Sequence, residues 1–236
     1  MKLRTVATGL LLAFGALPCA YADEYDQVRK TVAALNPSAT IHSITPTPIA
    51  GLVEVVAEGS VVYLSEDGRY MVAGEILDFA ARENLTDTAM AGARARLLED
   101  APRDRWIRFG PSDAESTVFV FTDTSCGYCA RFHDEVPALN AAGVAVEYIP
   151  WPRGGLETPA GRAMNSAWCS DDPRSAYDAL IAGASIAPAD CDAGFAEARV
   201  LARSFGVEGT PAIYDANGRQ LGGYLQADAL LNRLSR

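Results

Sequence analysis

The sequence predicts two folded units: a small α+β unit over residues 23–84, joined by a linker helix over 85–101 to an α/β unit over 102–236. Three changes of pattern support this division. β-Rich stretches follow a first helix, an Ala-, Arg- and Leu-rich stretch follows the strands, and strands and helices alternate in the remainder. A chain of 236 residues is long enough for one large core and a smaller domain.

The small unit begins with a helix and continues as strands. Four apolar residues share one face of this helix: Tyr25, Val28, Val32 and Leu35. Three β-rich stretches follow: 51–56, 60–64 and 70–74. The stretch 60–64 is apolar on both faces, so something must cover its second face. We expect a partner subunit that pairs along a sheet edge, with the larger unit as the alternative cover.

The linker helix is predicted from composition and from its end signals. Thr86 or Asp87 is the expected N-cap, and Pro102 lies beyond the end. Its main apolar positions are few: Met90, Leu97 and Leu98. Because these cannot bury a whole face, we expect an exposed spacer that holds the two units apart.

The α/β unit is predicted to contain a strand–helix–parallel strand unit with added helices. Strands are expected at 105–109, 117–122 and 144–149. The helix that follows 117–122 should run through Phe132 and Val136, with a kink at Pro137. The later elements are a helical insertion over about 158–206, a hairpin turn at Asn217-Gly218 and a closing helix over 227–234.

Two cysteines stand where the central strand gives way to the helix, in Cys126-Gly127-Tyr128-Cys129. N–H groups and the positive dipole end at a helix start favour a thiolate. We therefore expect Cys126 to be an exposed, low-pKa nucleophile and Cys129 to be its shielded partner. Gly127 and Tyr128 form the turn between them, with Gly127 keeping it uncrowded. This pattern indicates thiol–disulfide exchange, which needs no metal or organic cofactor.

A zinc site is the alternative, since Cys126, Cys129 and His133 could supply three ligands. Two points argue against zinc: no residue is an obvious fourth ligand, and the cysteines lie at the start of a helix. His133 is interpreted as a surface residue of that helix.

The remaining cysteines suggest a second disulfide. Cys169 and Cys191 both lie in the helical insertion, and neither belongs to a Cys-x-x-Cys pair. A structural disulfide is the favoured interpretation, because it would close a loop in the insertion. A second redox-active pair that relays electrons is the alternative.

The N-terminus reads as an export signal. A basic start is followed by an apolar run over 6–17, and Ala20-Tyr21-Ala22 offers a cleavage site after Ala22. Removal of residues 1–22 would also discard Cys19 and would leave an even number of cysteines, as an oxidising compartment favours. Without Lys2 and Arg4, the 20 basic residues become 18 against 30 acidic ones, a charge of 18 − 30 = −12. This charge argues against nucleic acid as a partner, and no later run is apolar enough to span a membrane.

Several motifs together resemble one family. Thr210-Pro211 before a short strand is how thioredoxin-like proteins present a cis-proline beside the active-site sulfurs. With the Cys126–Cys129 motif, the spacing of Cys169 and Cys191 and the hairpin at Asp67-Gly68, the chain resembles the DsbC/DsbG family of periplasmic protein-disulfide isomerases. Gly127, where DsbG has proline, and the second cysteine pair favour the isomerase branch. Val120 stands where thioredoxin has a buried acid, which argues against a cytosolic-type reductant.

The resemblance implies a specific arrangement and activity. Residues 23–84 would be a cystatin-like dimerisation domain, and two thioredoxin-like domains would face a shared cleft in a V-shaped homodimer. Cys126 would attack misfolded, disulfide-containing exported proteins, Cys129 would resolve the mixed disulfide, and Thr210 and Pro211 would line the peptide site. A membrane reductase of the DsbD type would keep both thiols reduced. The alternatives are a DsbG-like chaperone or sulfenic-acid reductase and a monomeric DsbA-like oxidant.

Overall fold

The computed structural model describes residues 24–57 and 59–235, and in this part the chain folds around two main sheets. The N-terminal elements are α1 (Asp26–Leu35), β1 (Ile41–Pro46), β2 (Leu52–Ala57), β3 (Ser60–Ser65), β4 (Met71–Val72), β5 (Leu77–Asp78), β6 (Glu83–Asn84) and α2 (Leu85–Asp100). The C-terminal elements are β7 (Ile107–Phe109), β8 (Ser116–Thr122), α3 (Gly127–His133), α4 (Val136–Ala141), β9 (Val144–Pro150), α5 (Pro159–Trp168), α6 (Pro173–Ile181), α7 (Phe195–Phe205), β10 (Ala212–Asp215), β11 (Gln220–Gly222) and α8 (Ala227–Leu234). Within these described ranges, no helix combines the length and apolar composition needed to cross a membrane.

The N-terminal unit is an antiparallel sheet in the order β1-β2-β3-β4 with α1 packed on one face. Val28 and Val32 of α1 are buried against Val53, Val55 and Leu64. Because side chains alternate along a strand, the neighbouring residues of β2 and β3 point to the opposite face. Leu35, which was expected on the packed face of α1, is exposed instead.

The linker helix α2 covers that opposite face of the sheet. Met90 and Ala93 pack with Val56, Val61 and Tyr63. The expectation that a partner subunit or the larger unit covers the apolar strand is therefore wrong, since α2 of the same chain does so. The helix begins at Leu85, but its N-cap is Asn84 and not Thr86 or Asp87 as predicted; the Asn84 side chain accepts a hydrogen bond from the Asp87 N–H at 3.2 Å.

The same helix is docked on the C-terminal unit, so the prediction of an exposed spacer is also wrong. Leu98 is buried with Phe119, Phe121 and other residues of that unit. The Arg94 guanidinium donates to the carbonyl oxygen of Phe205 at 3.1 and 2.8 Å. A Cβ atom at Gly218 would lie 2.2 Å from the Ala91 carbonyl oxygen, so the contact requires glycine.

The C-terminal unit is a five-stranded sheet in the order β11-β10-β8-β9-β7, with β8 and β9 parallel and the other pairs antiparallel. Both faces of β8 are buried: Val118 and Val120 face one core, and Phe119 and Phe121 face the other. The first strand begins at Ile107, two residues later than predicted. The expected long helix is broken into α3 and α4, with Pro137 in the first turn of α4.

Candidate active site

The sheet brings the Cys126–Cys129 segment and the Thr210–Pro211 segment together. β8 ends at Thr122, α3 begins at Gly127, and Phe121 of β8 pairs with Ala212 at the start of β10. The residues just after β8 and just before β10 therefore lie side by side. The Thr210–Pro211 peptide bond is cis, and both Cys126 and Cys129 are free thiols.

Cys126 is the N-cap of α3, and it is less accessible than the sequence predicts. Its residue exposure is 5%, and its thiol donates to the Thr210 carbonyl oxygen at 3.3 Å. The expectation that Cys126 is exposed is therefore wrong, because the segment that carries Thr210 covers its sulfur atom. Burial opposes ionisation, but interactions with Thr210 and with the backbone N–H groups of Cys129 and Tyr128 outweigh it and lower the pKa of Cys126.

Cys129 lies one turn further into α3 and is 1% exposed. Burial raises the pKa of its thiol to about 11, although the nearby Asp123 N–H and Thr122 side chain partly stabilise the thiolate. The pKa values of the two thiols are thus shifted in opposite directions. Cys126 forms a thiolate more readily than Cys129, so it is the better nucleophile of the two.

Sequence reasoning missed an ion pair beside the thiols. The buried Asp123 carboxylate accepts hydrogen bonds from the Ser125 N–H at 2.8 Å and hydroxyl at 2.7 Å, and from the Arg153 N–H at 3.0 Å and Nε at 2.8 Å. These bonds hold the loop between β8 and α3 and place a positive charge near both sulfurs. The signal was present, because Asp123 follows β8 and Arg153 follows its parallel neighbour β9, whose carboxyl ends meet at one edge of the sheet.

His133 is not the surface residue that the sequence suggests. Its side chain is 15% exposed, its Nδ1 lies 3.0 Å from the Tyr148 hydroxyl, and its Nε2 lies 2.8 Å from Asp178 Oδ1. Both ring nitrogens thus have protein partners, which argues against the alternative zinc site with Cys126 and Cys129. The described residues contain no group of three or more His, Cys, Asp or Glu side chains that could hold a metal ion.

The other predicted residues surround the thiols or lie in the insertion. The Tyr128 ring is exposed beside Tyr224, with ring centroids 6.1 Å apart. A Cβ atom at Gly127 would meet no atom within 4 Å, so space alone does not require glycine there. Cys169, just after α5, forms a disulfide with Cys191, with Cα atoms 5.6 Å apart.

Comparison with known proteins places this site in a family. Residues 19–87 match the model of the disulfide bond isomerase protein N-terminal domain, and residues 109–236 match that of a thioredoxin-like domain. The chain is 32% identical over 222 residues to the thiol:disulfide interchange protein DsbC of Escherichia coli, covering 91% of this chain and 88% of that protein. It is 34% identical over 207 residues to the Salmonella typhimurium protein of the same name, covering 87% of this chain and 84% of that protein.

A solved structure extends the comparison to the fold. The disulfide interchange protein from Neisseria gonorrhoeae superposes with a TM-score of 0.50 at 27% identity, covering 57% of this chain and 96% of that one. The match to the Escherichia coli and Salmonella typhimurium proteins covers most of each chain, and two free thiols lie at the start of a helix in the thioredoxin-like domain. These two findings together assign the family. The chain belongs to the DsbC family of thiol–disulfide oxidoreductases.

Proposed function

We propose that this protein is a periplasmic protein-disulfide isomerase and reductase that rearranges incorrect disulfides in exported proteins. The observation that carries the proposal is the contrast between the two thiols, since Cys126 has a lowered pKa and Cys129 a raised one beside the same Thr210. In such a pair one thiol attacks the client disulfide, and the other resolves the mixed disulfide in a later step.

The Cys126 thiolate begins the reaction by attacking one sulfur of a wrong client disulfide. A new S–S bond joins Cys126 to the client, and the other client sulfur leaves as a thiolate. Isomerisation follows when client thiolates attack the client's other disulfides and finally expel Cys126. Reduction follows instead when Cys129 attacks Cys126 Sγ, which releases the client as a thiol and leaves a Cys126–Cys129 disulfide.

The oxidised pair must then receive two electrons, which we assign to a membrane reductase of the DsbD type. Thr210, Pro211, Gly127 and Tyr128 are proposed to line the client site, since they border the sulfurs and Tyr128 presents an exposed ring. Cys169 and Cys191 are proposed to support the fold, because their bond lies in the helical insertion.

Residues 23–84 are proposed to form a homodimer, as the match to the isomerase N-terminal domain supports. The edge strand β4 and the residues on either side of it expose large apolar side chains: Tyr70, Met71, Val72, Leu77 and Phe79. An exposed edge with apolar side chains can pair with a second copy. A cleft between two such subunits would also bind unfolded chains, so we propose chaperone activity as well.

Export is proposed from residues 1–22, with cleavage after Ala22. These residues lie outside the described part of the chain. The proposed compartment agrees with the Cys169–Cys191 bond, since disulfides persist in oxidising surroundings.

Variants of the two thiols test the chemistry. With a scrambled multi-disulfide client, Cys129→Ser should accumulate a mixed disulfide, and Cys126→Ser should form none and restore no activity. Full client rescue by Cys126→Ser would instead indicate a chaperone whose thiols are incidental. Thiol trapping in cells should find the pair mainly reduced, whereas a mainly oxidised pair would favour a DsbA-like oxidant.

A further inference from the structure

A row of polar side chains lies between the buried thiol of Cys129 and the surface of the protein. We call it the hydroxyl–imidazole chain, and its members are Thr122, Tyr177, Tyr148, His133 and Asp178. The exchange steps described above leave the fate of the Cys129 proton open, and this chain begins at that proton.

The inner end of the chain is at the last residue of β8. The Thr122 hydroxyl lies 2.8 Å from the Tyr177 hydroxyl, and both residues are fully buried. The Thr122 side chain and the Asp123 N–H are also close enough to Cys129 to favour its thiolate. The Thr122 hydroxyl therefore lies between the sulfur and the aromatic part of the chain.

Two stacked tyrosines form the middle. The rings of Tyr177 and Tyr148 lie 4.6 Å apart with an interplanar angle of 28°, and each phenol shifts the pKa of the other. Burial raises the pKa of both phenols, and a negative charge at Cys129 raises it further. Neither tyrosine rests as a phenolate at neutral pH, so each can pass a proton only by accepting one while donating its own.

The outer end of the chain is the imidazole of His133. Its Nε2 lies 2.8 Å from the Asp178 carboxylate, which can only accept, so the hydrogen-bond pattern assigns the ring proton to Nε2. Nδ1 is then free to accept from the Tyr148 hydroxyl at 3.0 Å. The Asp178 side chain is 55% exposed, so the chain ends in contact with solvent.

Cys129 needs such a route. It must lose its proton to attack the mixed disulfide, but it is 1% exposed and burial disfavours its thiolate. The nearby Asp123 carboxylate already accepts four hydrogen bonds from Ser125 and Arg153, and its pKa is lowered despite burial by those bonds. Asp123 is therefore a poor acceptor for the proton.

We propose that the hydroxyl–imidazole chain is a proton relay that carries the proton of Cys129 to solvent when this thiol attacks. The inference rests on the proposed role of Cys129 as the resolving thiol. Thr122 is the member next to the reacting thiol, and the other members act through it.

Each transfer in the relay is balanced. The thiol proton passes to the Thr122 oxygen while the Thr122 proton passes to Tyr177, and the Tyr177 and Tyr148 hydroxyl groups repeat this exchange. His133 Nδ1 accepts the proton from Tyr148, and Nε2 releases its own proton to Asp178 or water. Meanwhile the Cys129 sulfur bonds to Cys126 Sγ, and the client sulfur leaves with the electron pair of the broken S–S bond.

A symmetrical nitrobenzoate disulfide separates the two thiol reactions in a stopped-flow experiment. Attack by Cys126 releases one coloured aryl thiolate, and attack by Cys129 on the mixed disulfide releases a second. Because an aryl thiolate leaves without needing a proton, the second phase reports loss of the Cys129 proton. Thr122→Val and Tyr177→Phe should slow the second phase by about tenfold or more, as loss of proton-transfer catalysis does, and leave the first unchanged.

Matched variants separate a relay from simple packing. Thr122→Ser keeps the hydroxyl but loses a methyl group, so it should melt at a lower temperature and retain a fast second phase. Tyr214→Phe removes another buried hydroxyl, one that contacts the Phe205 carbonyl oxygen at 3.5 Å, and should behave like wild type in both phases.

The outcomes distinguish the relay from the proposed function. A normal second phase in Tyr177→Phe would overturn the relay, even if Thr122→Val is slow, because only the direct bond from Thr122 to the sulfur would then matter. Equal slowing of both phases would also overturn it. A wild-type protein that releases only one aryl thiolate would instead contradict the resolving role of Cys129.

Discussion

Replacing Leu98 by alanine should destabilise the C-terminal unit, although Leu98 belongs to the linker helix. The side chain is 1% exposed and packs with Phe119, Phe121 and Phe205 of that unit. If α2 were only a spacer between the two units, the same change would leave their stability almost unaltered. The variant therefore tests whether α2 is part of the C-terminal core.

The expected loss follows from the size of the cavity. Leucine-to-alanine changes in cores cost about 2–5 kcal/mol of unfolding free energy. We expect about 2–3 kcal/mol, at the low end of that range, because a helix at the edge of a unit can shift to fill part of the space. Leu97 is its natural control, since it is only partly buried against the same core, and its alanine variant should lose about 1 kcal/mol.

Tryptophan fluorescence during denaturant unfolding can measure this loss of unfolding free energy. The three tryptophans, Trp106, Trp151 and Trp168, all follow α2 in sequence and report on the C-terminal unit alone. The denaturant concentration at the unfolding midpoint should fall in Leu98→Ala, and the slope of the unfolding free energy against denaturant concentration should not change. A loss below about 0.5 kcal/mol, the level of ordinary surface changes, would refute the docking of α2 as a source of stability.

Two further changes test the proposed dimer and the disulfide. Val72→Lys on the exposed edge strand β4 should give a monomer in sedimentation, whereas Val200→Lys, at an equally exposed valine on α7, should not; a dimer that survives Val72→Lys would exclude this edge. Replacing Cys169 and Cys191 by serine opens a link between residues 22 apart, which should cost about 3 kcal/mol. The melting temperature should fall by roughly 6–12 °C, and turnover per folded molecule should stay unchanged. Lost turnover with an unchanged melting temperature would instead indicate that the pair relays electrons.

The sequence by itself determined the features that depend on neighbouring residues. The β-branched and aromatic run at 117–122, the cysteines after it and the closing helix at 227–234 were predicted almost at their observed bounds. Local pattern suffices there because strand and helix periodicity, and the ends of elements, are set by residues within a few positions of each other.

The tertiary structure alone decided how distant residues meet around the thiols. Arg153 reaches Asp123 across 30 positions, and Asp178 reaches His133 across 45. The strand order places Asp123 and Arg153 at one edge of the sheet, but no periodic pattern pairs either set of residues. Arg153 was therefore missed, and His133 was interpreted as a surface residue. The docking of α2 also depends on residues that are distant in sequence. The small residues of α2 did not suggest burial, but they let Gly218 and the Phe205 end of α7 approach closely, so the helix becomes part of the core.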